Sequence, residues 1–155
     1  MKRILVPVNG SDDSMQAVRE ALHQAYPPGR AEVHLLNIQQ HTFPEETLAS
    51  GPVENIDAYY YERSHMALAP AERLLREAGI PFVSHHVVGP VAEMILEKQA
   101  ELECDSIVMG TRIHAGGLGA PLFSVTARVL ESARVPVTLV KKTMAPEVRD
   151  GLSAI

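Results

Sequence analysis

The chain has 155 residues and a formal charge of -5, from 14 Lys plus Arg against 19 Asp plus Glu. That length suits a single domain that buries roughly 68–70% of its unfolded surface. With 46% hydrophobic and 21% charged residues and no Trp, a disordered tail, a collagen-like fibre and a disulfide scaffold are excluded, and the acidic balance argues against nucleic acid or a membrane surface as the main partner. Cys104 has no second thiol to pair with. No stretch approaches the ~20 apolar residues of a membrane-spanning helix, and the short apolar run at the start lacks the longer h-region and the cleavage site of a signal peptide. The expectation is a cytoplasmic protein.

Arg3 to Val8 is a short, nearly continuous apolar run, the pattern of a strand buried on both faces, and Asn9-Gly10-Ser11 breaks it. Val18, Ala21, Leu22 and Ala25 then mark one face of a helix opened by Ser11 or Asp12 and closed before Pro27-Pro28-Gly29. A second strand is expected over Ala31 to Ile38. The polar stretch from Gln39 to about Glu54 reads as a surface loop. From about Asn55 to Ala78 a helical pattern resumes, with a kink or restart expected near Pro70, which lacks the amide an unbroken helix uses.

Gly79-Ile80-Pro81 ends that helix, and Phe82 to Val88 supplies a β-branched third strand. Gly89-Pro90 opens a helix with Val91, Met94, Ile95 and Leu102 on its apolar face. Ser106 to Met109 is the fourth strand, followed by a glycine-bearing loop from Gly110 to Gly119. A helix from about Leu122 to Ala133 and a last strand over Pro136 to Lys141 complete the order βαβαβαβαβ. Right-handed crossovers make such a chain a parallel sheet covered on both faces. Ligands of such sheets bind outside the carboxyl ends of the strands where the strand order reverses, which directs attention to the loops after strands one and four.

Two segments, VPVNGSDDS at Val6 to Ser14 and IVMGTRIHAGGLGAPLFSVTARVLESARVPVTLVK at Ile107 to Lys141, resemble the universal stress protein family, and the resemblance covers the whole chain. It implies a Rossmann-like, adenine nucleotide alpha hydrolase-like domain over 1–142, with strand order 3-2-1-4-5, helices on both faces and a tail at 143–155. It also implies homodimers paired through the last strand, Pro136 to Lys141. Some members of the family bind ATP and others do not. The ATP-binding pattern Gly-x2-Gly-x9-Gly-Ser/Thr falls here on Gly110, Ile113, Phe123 and Ser124, so two of its three glycines are absent.

A loop that cradles phosphates needs bare backbone amides, and Ile113 and Phe123 place bulk where the family has none. Gly116, Gly117 and Gly119 offer a shifted cradle, and Arg112 offers a phosphate partner. The resemblance thus implies either no nucleotide cofactor or ATP, held in the latter case by Pro7, Asn9, Ile38, Gly110, Arg112, Ser124, Val125 and Thr126. Asn9 stands where the family has an acidic residue, and Asn9-Gly10 reads equally as a strand-ending turn. The expected role is a non-catalytic stress-response regulatory or binding module, with ATP binding at the same site as the alternative.

Asn9 to Ser14 also loosely resembles the Ser-Gly-Gly-x-Asp-Ser loop of adenylating ATP pyrophosphatases. Asp12 and Asp13 favour a helix N-terminus but repel a phosphate there, so a capping role is preferred. The histidines give no metal spacing: His85 and His86 point to opposite faces of a strand, while His23, His34, His41 and His65 are scattered singly and His114 lies beside Arg112. Cys104 reads as a partly buried side chain. The Gln39 to Glu54 loop and Tyr59-Tyr60-Tyr61 read either as a protein-partner surface or as cover for the sheet edge. The apolar last strand, left unpaired, would invite aggregation, and pairing with a two-fold mate removes that edge.

Overall fold

Strand β1 (Lys2–Pro7) carries its apolar residues to two opposite sides, so it folds only with cover on both. The computed structural model describes residues 1–40, 53–111 and 122–141. In chain order β1 is followed by α1 (Asp12–Ala25), β2 (Ala31–Gln39), α2 (Val53–Glu77), β3 (Phe82–Val88), α3 (Val91–Glu101), β4 (Ser106–Gly110), α4 (Leu122–Ser132) and β5 (Val137–Val140). The five strands are parallel and lie in the order β3-β2-β1-β4-β5. The expected topology is therefore observed. The chain steps outward from β1 to β3 and then crosses back to β4, so the strand order reverses between β1 and β4.

Alternation along the strands sends Ile4, Val6, Val33, Leu35 and Val108 into one apolar layer with Val18 and Ala21 of α1 and Leu68, Ala71 and Leu75 of α2. Leu5, Leu36, Ile107 and Met109 face the other layer, packed with Val91 and Ile95 of α3 and Val125 and Val129 of α4. Side chains such as Leu75 and Ile95 are fully buried, and truncating one of this kind to Ala typically costs ~2–5 kcal/mol. Cys104 lies in the second layer. Burial pushes its thiol up to about 11, so it is uncharged at neutral pH and a poor nucleophile.

The first helix starts at the expected place, with Ser11 as N-cap accepting from the Ser14 amide at 3.2 Å. Gly10 has φ +86, a conformation that a residue with a Cβ rarely adopts. At the end of β4 glycine answers a different need. A Cβ on Gly110 would lie 2.9 Å from the Asp13 carbonyl oxygen, so α1 can sit this close to β4 only because the side chain is missing. Helix α2 is continuous through Pro70, so the restart allowed for there is not made. Pro70 and Met66 are both exposed, so water can satisfy the Met66 carbonyl that Pro70 leaves without a donor. The expected loop over 39–54 lies largely outside the described residues, as does the tail at 143–155.

The histidines meet partners that their positions in the chain do not show. His34 is buried on β2, and its Nε2 lies 2.6 Å from Glu32 Oε1 while its Nδ1 lies 2.9 Å from Nε2 of His85 on β3. A carboxylate partner makes His34 Nε2 the donor, which leaves Nδ1 to accept from His85. His86, on the opposite face, meets the Tyr61 ring, which also stacks on His65. The His34–His85 and Tyr61–His86 pairings are not legible in the sequence, because one is made across neighbouring strands and the other between helix and sheet.

Burial is the main cause holding the His85 imidazole below its ordinary value of 6.5; the electrostatic influence of His34 and the positive charge of Lys98 act in the same direction, Glu101 acts against them and His86 adds a smaller push downward. The unfolded chain therefore binds more protons than the native state between that lowered value and 6.5, and native stability falls as pH drops through the window. The urea midpoint should be lower at pH 5.5 than at 7.5, and the difference should shrink in His85→Gln, which keeps a donor for His34. An equal difference in the variant would assign the pH dependence to other groups.

Candidate functional site

The reversal between β1 and β4 opens a crevice at the carboxyl edge of the sheet, the place where doubly wound sheets take ligands. Pro7 ends β1, with Asn9 just beyond it, Gly110 ends β4, and Val125 and Thr126 lie in the first turns of α4. Ile38 is near the end of β2, past the last residue pair of the β1–β2 ladder, Pro7 with Leu36. The fold thus carries these residues to one edge. Arg112, Ile113, His114, Gly116, Gly117 and Gly119 lie outside the described residues, as do the side chains of Phe123 and Ser124. His41 lies outside them too.

The turn after β1 closes on itself. The Ser11 amide donates to Asn9 Oδ1 at 3.0 Å, the Asn9 amide to Ser14 Oγ at 3.3 Å, and Ser14 Oγ to the Ser11 carbonyl at 3.0 Å. The Ser14 amide meets Ser11 Oγ and the Met15 amide meets the Ser11 carbonyl. These are amides that a phosphate-binding turn would aim at an anion, and here the protein's own oxygens take them. Asp13, 7% exposed, adds a carboxylate in the same turn. The local geometry is that of a helix cap.

Gly110 belongs first to packing, since its bare Cα admits the first turn of α1. Val125 is buried in the second apolar layer. Thr126 differs from both. Its Oγ1 is buried and has no hydrogen-bond partner among the described residues, an arrangement that costs about 1–3 kcal/mol unless another group, a ligand or water supplies one.

A polar network under the β2 side of the crevice was not singled out by sequence reasoning. Asn37, 1% exposed, donates from Nδ2 to the Val8 carbonyl at 2.8 Å, and its Oδ1 accepts from Ser64 Oγ at 2.6 Å and Gln39 Nε2 at 2.7 Å. Gln39 Oε1 in turn accepts from Arg63 Nε at 3.2 Å, and Arg63 Nη1 donates to the Tyr59 hydroxyl at 3.2 Å. One buried amide ties β1, β2 and α2 together at the edge. Its signal in the sequence was an Asn inside the apolar run Leu35-Leu36-Asn37-Ile38.

Among the described residues no group of three or more His, Cys, Asp or Glu is placed to hold a metal ion, and no helix is long and apolar enough to cross a membrane. A cavity of about 310 Å³ lies at the opposite, amino edge, beside Lys2, Arg30, Asp105 and Thr138. The carboxyl edge is the better candidate, because strand order reverses there and Thr126 Oγ1 has no partner among the described residues.

A relative from Methanocaldococcus jannaschii, named as a universal stress protein, is 31% identical over 141 residues, which are 91% of this chain and 82% of that protein. The fold is similar to that of an Arabidopsis thaliana universal stress protein family protein solved with AMP bound, with a TM-score of 0.65 and 18% identity over 92% of this chain and 93% of the other. It is similar also to a universal stress protein solved in complex with cAMP, with a TM-score of 0.63 and 22% identity over 92% and 98% of the two chains. The model of the universal stress protein family matches residues 1–141, and the chain belongs to that family.

Proposed function

We propose that this chain is a non-catalytic regulatory module that binds a purine nucleoside monophosphate or cyclic nucleotide at the carboxyl-edge crevice, its triphosphate cradle impaired by Ile113 and Phe123. The carrying observation is Thr126, near the start of α4, whose Oγ1 is buried without a partner among the described residues and has the chemistry to donate to a ligand oxygen. Asn9 Nδ2, which has no partner among the described residues, adds a second donor at the same edge. The relatives solved with AMP and cAMP support a nucleotide of this size. The non-catalytic reading rests on Ser11 and Ser14, whose hydroxyls are engaged in capping α1 rather than held ready as nucleophiles.

The test is to denature the purified protein, identify any released nucleotide, and titrate the emptied protein calorimetrically with AMP, GMP and Mg-ATP. Micromolar binding of a monophosphate, with Mg-ATP no tighter, is expected. Thr126→Val should weaken that binding by about five- to twentyfold while leaving thermal stability equal or higher, since the methyl removes an unsatisfied buried hydroxyl. Replacing Ile113 and Phe123 together with Gly should raise Mg-ATP affinity selectively, by about tenfold or more. Absence of binding by all three ligands, or wild-type preference for Mg-ATP, would overturn the reading.

The module is further proposed to act as a homodimer paired through β5. That strand lies at a sheet edge, is half-buried throughout, and carries no charge within Val137–Val140 to block a second chain. Thr138→Asp should give a monomer in size-exclusion chromatography. An unaltered elution volume would place the interface elsewhere.

A further inference from the structure

We propose that the cavity at the amino edge of the sheet is a second ligand site, one that takes a small phosphorylated polyol such as a sugar phosphate or glycerol phosphate; it does not depend on the nucleotide reading above. Strands β1, β4 and β5 and the end of α1 build it. Ile4 is level with Ser106, and Val108 with Thr138. Ile4 and Val108 belong to the apolar layer that α1 covers. Alternation therefore sends Lys2, Ser106 and Thr138 to that same side. The crossover from β1 to the parallel strand β2 makes α1 run against the strands, so its last turn, with Gln24, ends at the amino edge. The space left open there is about 310 Å³, at the lower end of the volumes of ligand pockets.

Two cations stand on this cavity in a chain whose formal charge is -5. Lys2 and Arg30 both line it, and neither pairs with a carboxylate among the described residues. Arg30 donates from Nη1 to the Tyr26 carbonyl at 3.4 Å, at the end of α1, and keeps its other N–H groups. Arg3, by contrast, is engaged elsewhere: its Nη1 donates to the Leu102 carbonyl at 2.9 Å and its Nε lies 3.9 Å from Glu32. A phosphate monoester carries a charge of about −1.5 to −2 at pH 7 and three strong acceptor oxygens, which matches two unneutralised cations. A monocarboxylate would leave one of them unmatched.

The rest of the lining suits hydroxyl groups. The Ser106 and Thr138 hydroxyls have no partner among the described residues, and each can both donate and accept. Gln24 donates from Nε2 to Glu20 at 3.3 Å, which leaves its Oε1 as an acceptor. Asp105 is anchored between β1 and β4: its Oδ2 accepts from the Arg3 amide at 2.8 Å, and its own amide donates to the Arg3 carbonyl at 2.8 Å. Its Oδ1 has no partner among the described residues. That carboxylate accepts from a sugar hydroxyl but repels a second anionic group. The lining thus selects one phosphate on a neutral, hydroxylated skeleton over a molecule charged at both ends. Ile4 and Ala31 supply apolar surface for the carbon atoms.

Glucose 6-phosphate and glycerol 3-phosphate are suitable probes, because neither contains a ribose or a base that the carboxyl-edge crevice would take. Calorimetry should show at least one of them binding with submillimolar affinity, about tenfold or more tighter than inorganic phosphate or malate, and no binding of glucose. Amide shifts in a nitrogen-15 NMR titration should move at Ala31, Ser106 and Thr138 and stay still at Asn9 and Gly110. Lys2→Gln and Arg30→Gln should each weaken the phosphate ester by about tenfold, with thermal stability and any binding of AMP unchanged. No binding of either ester at millimolar concentration would overturn the proposal, as would shifts confined to the carboxyl edge or an unaltered affinity in the double variant. Inorganic phosphate binding as tightly as the esters would reduce the site to an unspecific anion patch, and tighter malate would assign it to carboxylates; either result overturns the polyol phosphate. Failure of AMP to bind the wild type would count against the nucleotide reading alone.

Discussion

The architecture depends on burying β1 from both sides at once. Ile4 and Val6 go into one apolar layer and Leu5 into the other, and each is at most 4% exposed. A strand of that kind needs a hydrogen-bonded neighbour on each edge and a helical layer on each face. Here β2 and β4 flank it, and placing them on opposite sides is what reverses the strand order. The crevice is thus a consequence of how the central strand is covered.

Two packing details decide how that crevice is furnished. Gly110 lets the first turn of α1 approach the end of β4, and the cap formed by Asn9, Ser11 and Ser14 then consumes several amides of that turn. On the other side, Asn37 adds a side-chain hydrogen bond to the Val8 carbonyl just beyond the β1–β2 ladder and draws Ser64 of α2 into the same node. A buried amide of this kind is costly when unmatched and rigidifying when satisfied. Three contacts from Ser64, Gln39 and Val8 satisfy it, so the edge has a fixed frame on the β2 side and an orphaned hydroxyl, Thr126, on the α4 side.

The negative charge of the chain gives a nucleotide no general attraction. Affinity has to come from local donors. Among the described residues Arg63 has no carboxylate partner, and Thr126 and Asn9 add uncharged donors, whereas Asp13 puts a carboxylate in the turn where a triphosphate would want amides. This distribution favours a small ligand read by directional hydrogen bonds over a highly charged one held by field strength.

Composition and periodicity were enough for the elements, because apolar strands alternating with amphipathic helices leave few topologies once crossovers are right-handed. The motif segments at Val6 to Ser14 and Ile107 to Lys141 carried the family and, with it, the strand order 3-2-1-4-5. The cap at Ser11 was legible too, being a contact between near neighbours in the chain. The continuous helix through Pro70 was not, since it depends on which helix face meets water. Nor were the His34–His85 pair, the Asn37–Ser64 node, the Arg63–Gln39 contact, or the reason for glycine at 110. Each joins residues far apart in sequence through distances of a few ångströms, and only packing the helices onto the sheet sets those distances. Local pattern determined what the segments are; tertiary contact decided which of their polar atoms are used up and which remain for a ligand.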